Sequence, residues 1–189
     1  LFRSEMKIQG TRLVGGKYVS LGTVTTGLTM WLDAGNPVSY PGSGTTWYDL
    51  SPFGANISLQ GSPVYTAGTP AYFTFDGYTQ YGVGFTPNVL PPSQYTKSMW
   101  LRLNNYGFNN NIVSSYAGGH FTFGGGHNVY YSGHADWADY NAFPTNATFN
   151  LGQWYYIAVT FQAYTFMKTY VNGVFDAQSS DRKSTRLNS

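Results

Sequence analysis

The 189-residue sequence predicts an all-β fold, a sandwich or barrel built from many short strands. Apolar residues recur at a spacing of two: Met99, Leu101 and Leu103 alternate with Ser98, Trp100 and Arg102. That period marks a half-buried strand. Aromatic residues make up 19% of the chain, and its 23 glycines supply turns between the aromatic and β-branched runs. No internal repeat and no long amphipathic helix interrupts this pattern.

Taken in order, strands are expected at 28–33, 72–76, 111–116, 120–124, 128–132, 154–162 and 166–172, with a further one around 98–103. Each is rich in aromatic or β-branched residues and bounded by turn formers. Asn172-Gly173 suits the positive-φ positions of a tight hairpin, so 174–178 should fold back on 166–171. Residues 1–24 have sparse apolar positions and a Gly15-Gly16 pair, and read as a linker or short β arm.

Three stretches carry a family resemblance: 27–51 (GLTMWLDAGNPVSYPGSGTTWYDLS), 71–77 (AYFTFDG) and 153–174 (QWYYIAVTFQAYTFMKTYVNGV). In that order they resemble the laminin-G-like branch of the concanavalin A-like lectin and glucanase superfamily. The resemblance implies a two-sheet antiparallel jelly-roll sandwich over 25–180. It also implies truncation, because such jelly rolls usually finish with further strands that pair beside the first.

Composition narrows the function. Residues 181–189 (DRKSTRLNS) resemble one reading frame of a sequencing-library adapter and are expected to be a non-native tail. They hold Arg182, Lys183 and Arg186 against Asp181, so the formal net charge of +2 belongs to them and 1–180 is balanced. A neutral body offers nucleic acid no cluster of Lys and Arg and offers an anionic membrane equally little. There is no cysteine, hence no disulfide and no thiolate metal site. No apolar run reaches the roughly 18 residues of a membrane-spanning helix.

Catalysis by paired carboxylates finds little support. Glu5 is the only glutamate and lies outside the expected domain, so the glucanase pattern Glu-x-Asp-x-x-Glu is absent. Asp136 and Asp139 are the closest acidic pair; on one strand their odd spacing would send them to opposite faces. No catalytic residue is assigned. Asp33, Asp49 and Asp76 offer oxygen ligands of the kind calcium takes in rim loops, but aspartates at strand ends more often bond their own turns. His120, His127 and His134 recur every seventh residue, yet turns separate them, and exposed strand-end histidines are the expectation. No metal or other cofactor site is assigned.

Carbohydrate binding fits better, because aromatic faces stack on sugar C–H surfaces while Asn, His and Asp bond hydroxyls. The stretch HNVYYSGHADWADYNAF holds all of these types. Tyr116, His127, Trp137, Asp139 and Tyr140 are the candidate contacts, whereas Trp47, Trp100 and Trp154 read as packing. Asn56 and Asn146 open N-glycosylation patterns of the kind that arise often by chance.

The expectation is a non-catalytic recognition or adhesion module for a glycan or host-surface receptor. Loop 35–51 resembles modules in structural proteins of bacterial viruses, which implies a virion or extracellular surface. The alternatives are a purely structural fibre module and a truncated polysaccharide-cleaving enzyme. If the jelly roll does lack its closing strands, an unpaired strand edge should drive association. Residues 1–180 produced alone are then expected to sediment as aggregates, and a cooperative, monomeric unfolding transition would contradict this.

Overall fold

The computed structural model describes residues 11–14, 17–20, 26–84, 94–106, 110–113, 120–123, 130–136, 139–162 and 165–179. These residues contain fifteen strands and no helix, and every strand pairing among them is antiparallel. The chain divides into two compact units, Phe2–Val89 and Leu90–Ser189.

In the first unit β1 (Thr11–Val14) and β2 (Lys17–Ser20) form a hairpin where a β arm was expected. β3 (Thr46–Trp47), β4 (Ile57–Gln60) and β7 (Tyr81–Val83) make one small sheet, in the order β3-β4-β7. β5 (Val64–Thr66) pairs with β6 (Tyr72–Thr74) in another. Phe73, fully buried, is the hub of this unit's core. Its ring centroid lies 4.7 Å from that of Tyr40, 4.8 Å from Trp47 and 5.4 Å from Tyr65. These tilted and edge-on contacts suit aromatic quadrupoles better than face-to-face stacking. Trp47 therefore packs as expected.

Residues 28–33, expected as a strand, form none. The segment is met by side chains as well as by backbone: the Trp31 N–H donates to Asp49 Oδ1 at 2.6 Å and the Asp33 N–H to Ser39 Oγ at 3.0 Å. Only Leu50 N to Trp31 O supplies a backbone bond between 28–33 and 48–50. Hydroxyl and carboxylate acceptors here replace a ladder, as Ser and Asp do in loops.

The second unit is a two-sheet sandwich. One sheet runs in the order β12-β11-β10-β9, made of β9 (Asn110–Val113), β10 (His120–Phe123), β11 (Tyr130–Asp136) and β12 (Asp139–Pro144). The other runs β15-β14-β13-β8, made of β8 (Gln94–Arg102), β13 (Trp154–Gln162), β14 (Phe166–Val171) and β15 (Val174–Ser179). Strict alternation along β13 buries Tyr155, Ile157, Val159 and Phe161. They join Met99, Leu101, Phe149, Met167 and Val171 in one core, against which Ile112, Val113 and Phe143 of the opposing sheet pack. The Asn172-Gly173 turn has φ of 51° and 82°, as the sequence predicts for this hairpin.

β15 carries an irregularity opposite Thr169 and Tyr170, and Asp176 falls within it. Its carboxylate accepts the N–H groups of Asn146 and Ala147 at 2.9 and 2.8 Å, while Asn146 Nδ2 donates to the Asp176 carbonyl at 2.6 Å. The connection leaving β12 is thereby tied to the edge strand of the other sheet.

Two core-facing positions break the apolar pattern, Thr169 of β14 and Lys97 of β8. Lys97, on the same face of β8 as Met99 and Leu101, is buried opposite Val159, with its Nζ 5.0 Å from the Tyr95 ring centroid. Burial pushes its ammonium down to about 8. A lysine whose folded-state pKa is depressed destabilises the fold while charged; as pH rises from about 8 toward about 10.4, the unfolded chain binds more protons and stability increases. The melting temperature is expected to climb between pH 8 and 10, and Lys97→Met should flatten that rise.

Candidate functional site

The three aspartates of the family-like stretches organise loops. Asp49 accepts four hydrogen bonds: from the N–H groups of Trp31 (2.6 Å) and Ser51 (2.9 Å) on Oδ1, and from Ser51 Oγ (2.5 Å) and the Ala55 N–H (2.8 Å) on Oδ2. Burial raises its carboxyl, but these donors together outweigh burial and hold it below the ordinary value. Asp76 takes the N–H groups of Tyr78, Thr79 and Gln80 on Oδ1 and the Thr79 hydroxyl on Oδ2. The Thr79 hydroxyl leads in holding it far below the carboxylate range. Asp33 Oδ1 accepts the Gly35 N–H at 2.8 Å. Each of the three carboxylates thus accepts backbone N–H groups of its own loop, and no group of three or more metal-ligating side chains gathers among the described residues.

The Asp76 loop is also fixed from outside. A Cβ on Gly61, whose φ is +69°, would stand 2.3 Å from the Thr79 carbonyl oxygen, so only glycine allows the two turns to meet. Gln80 Nε2 bonds the Ser62 carbonyl across the same junction. Tyr78, 90% exposed, sits on this braced turn.

Of the candidate contact residues, Tyr116, His127 and Trp137 lie outside the described residues. Asp139 and Tyr140 begin β12, where they are the register partners of Asp136 and Ala135 on β11. Asp136 and Asp139 therefore occupy two facing strands, not one strand at odd spacing. His120 pairs in register with Gly133, and His134 with Asn141. His127 falls outside the described residues.

A feature missed in the sequence lies on the side of the β15-β14-β13-β8 sheet turned away from its core. Trp100 and Trp154, read as packing, project there instead, half-buried, because their strand neighbours Leu101 and Tyr155 take the core face. Trp100 meets its register partner Tyr156 at 5.5 Å between ring centroids. Tyr170 meets Phe175 edge-on at 5.9 Å. Arg102 lies over the Trp154 ring at 5.3 Å, and Lys168 Nζ over Phe166 at 4.3 Å. Burial raises the Tyr156 phenol and a hydrogen bond with Ser98 opposes it. The alternation of Trp100 with Met99 and Leu101 was the signal that could have placed it here.

Residues 76–189, more than half of the chain, match the family described as the concanavalin A-like lectin/glucanases superfamily, laminin G type. The chain belongs to this superfamily. A search of the curated proteins finds no match. Among solved structures, the binding domain of botulinum neurotoxin serotype C1 is similar at a TM-score of 0.60 and 18% identity. The receptor-binding domain of the C/D mosaic serotype is similar at 0.61 and 13%. Botulinum neurotoxin type C, described as depending on two ganglioside molecules to enter cells, is similar at 0.58 and 15%. Each similarity covers 78% of this chain but only 39% of the toxin chain. At these identities the likeness establishes the shared all-β sandwich fold.

Within this superfamily member the loop carboxylates generate an acid-stability expectation. A group whose pKa is depressed in the fold contributes stability above its unfolded value, near about 3.9, and loses it as pH falls. The melting temperature is expected to drop progressively below about pH 4. Asp49→Ala should cost about 2 kcal/mol at neutral pH, by chemical denaturation, and weaken the pH dependence.

Proposed function

We propose that this chain is a non-catalytic recognition module that binds carbohydrate on an extracellular or virion surface, its partner a glycan or glycan-bearing host receptor. Membership of a lectin and glucanase superfamily carries this reading. It gains support from a fold shared with receptor-binding domains, one from a toxin described as depending on gangliosides. The carboxylates whose bonds are described, those of Asp33, Asp49, Asp76 and Asp176, all accept backbone N–H groups. That is a scaffold role, unlike the spaced acid pair that glycoside hydrolysis requires.

We take Tyr116, His127, Trp137, Asp139 and Tyr140 as the contact set. Asp139 and Tyr140 open β12, in register with Asp136 and Ala135 of β11. Aromatic residues combine stacking area with low conformational entropy, while Asp139 supplies hydrogen bonds to hydroxyls.

The test is a glycan array probed with the full chain. A subset of glycans is expected to bind, and Trp137→Ala should lower the signal of the rim-bound members about fivefold or more with an unchanged melting temperature. Binding to no glycan overturns the function; a profile indifferent to Trp137→Ala overturns the contact set.

A further inference from the structure

We infer that the outward face of the β15-β14-β13-β8 sheet is a second saccharide-binding surface, specific for an oligosaccharide that carries a carboxylate; this rests on the carbohydrate reading above. Three features of that face converge.

The first is its aromatic relief. Ala158 presents a single methyl at the middle of β13, and its register partners are Tyr170 on β14 and Ser98 on β8. Tyr156 precedes it on the same face, with Trp100 alongside, and Phe175 lies beyond Tyr170. Rings thus stand around a low point. Phe175 is 53% exposed, the most open of these rings. Adjacent strands lie about 4.8 Å apart, so the four-strand row spans roughly 14 Å, enough for a short oligosaccharide rather than one ring.

The second is the arrangement of polar groups one row along. Lys168 has Thr160 and Gln178 as register partners, and Thr96 lies beyond Thr160. Lys168 Nζ lies over the Phe166 ring at 4.3 Å, beside a row that carries hydroxyls and an amide, and a sugar carboxylate with its neighbouring ring hydroxyls matches that set.

The third is the sign of the charge. Lys168 and Arg102 are the ionisable groups of fixed charge at outward positions on these strands, and none of those positions holds Asp or Glu. Asp176 of β15 is the exception in the sheet's acidic content, and its oxygens are taken by the Asn146 and Ala147 N–H groups. An anionic sugar meets attraction from Lys168 here, and no outward position of these strands opposes it with Asp or Glu.

The experiment titrates the full chain with 3′-sialyllactose and tetragalacturonate, and with lactose as a neutral control, by calorimetry. Lys168→Gln and Phe175→Ala are compared with the unaltered chain, all checked by thermal melting. Neither Lys168 nor Phe175 belongs to the core, so both variants should fold. At least one acidic saccharide is expected to bind about tenfold more tightly than lactose, a preference that Lys168→Gln removes. Phe175→Ala should weaken binding about fivefold. Acidic and neutral sugars binding alike, or acidic binding that survives both sheet-face variants, overturns the inference while the carbohydrate reading stands. Adsorption to anionic phospholipid vesicles with no saccharide bound overturns both.

Discussion

The nine-residue pairing of β13 with β8 is the constraint on which the second unit depends, because it assigns every side chain of both strands to one of two faces. Trp154 opposes Arg102 at one end and Gln162 opposes Gln94 at the other, without a break. Shifting either strand by one residue would exchange Ile157 and Val159 for Tyr156 and Ala158 in the core. The same register that seats the aliphatic residues lines up Trp100 with Tyr156 and Ser98 with Ala158 outside. Core and outer surface are thus two readings of one ladder, and neither can be altered without the other.

In the first unit aspartate does much of what strand pairing does in the second. The long loop before β3 is held by Asp49, which gathers donors from Trp31, Ser51 and Ala55, and by Ser39, whose hydroxyl donates to the Tyr48 carbonyl at 2.6 Å. Asp76 gathers three successive N–H groups into one turn. Around these loops Tyr40, Trp47, Tyr65 and Phe73 fill a small core with rings, and two of them also tie down backbone: Tyr40 Oη bonds the Gly44 carbonyl and Tyr65 Oη that of Ala34. Few residues are needed when each aromatic ring supplies both volume and a polar anchor.

Legibility followed from how local each signal was. Residues 154–162 were read correctly from their aromatic and β-branched content, and the hairpin that follows from Asn172-Gly173, since both depend on neighbours within a few positions. The strand expected at 28–33 failed because its acceptors, Asp49 and Ser39, come from elsewhere in the chain and no period in the sequence reveals them. The short strands β4, β5 and β7 were missed for a related reason, being three or four residues long and set by pairing. Trp100 and Trp154 were read as packing; the period of two puts them on the face opposite Met99 and Tyr155, where Trp100 packs on Tyr156 and Trp154 under Arg102. Asp136 and Asp139 were weighed on one strand or in one loop, whereas they end two paired strands as register partners.

The tie between Asn146 and β15 bears on how this protein can be manufactured. Asn146 Nδ2, the atom that an oligosaccharyltransferase would modify in Asn146-Ala147-Thr148, is already donating to the Asp176 carbonyl at 2.6 Å. A glycan attached there in a yeast or mammalian secretory host would remove that donor hydrogen or displace the strap from the edge strand. Production in a eukaryotic secretion system therefore sets chain modification against sheet closure at this asparagine, and a bacterial cytoplasm, lacking the transferase, leaves the junction intact.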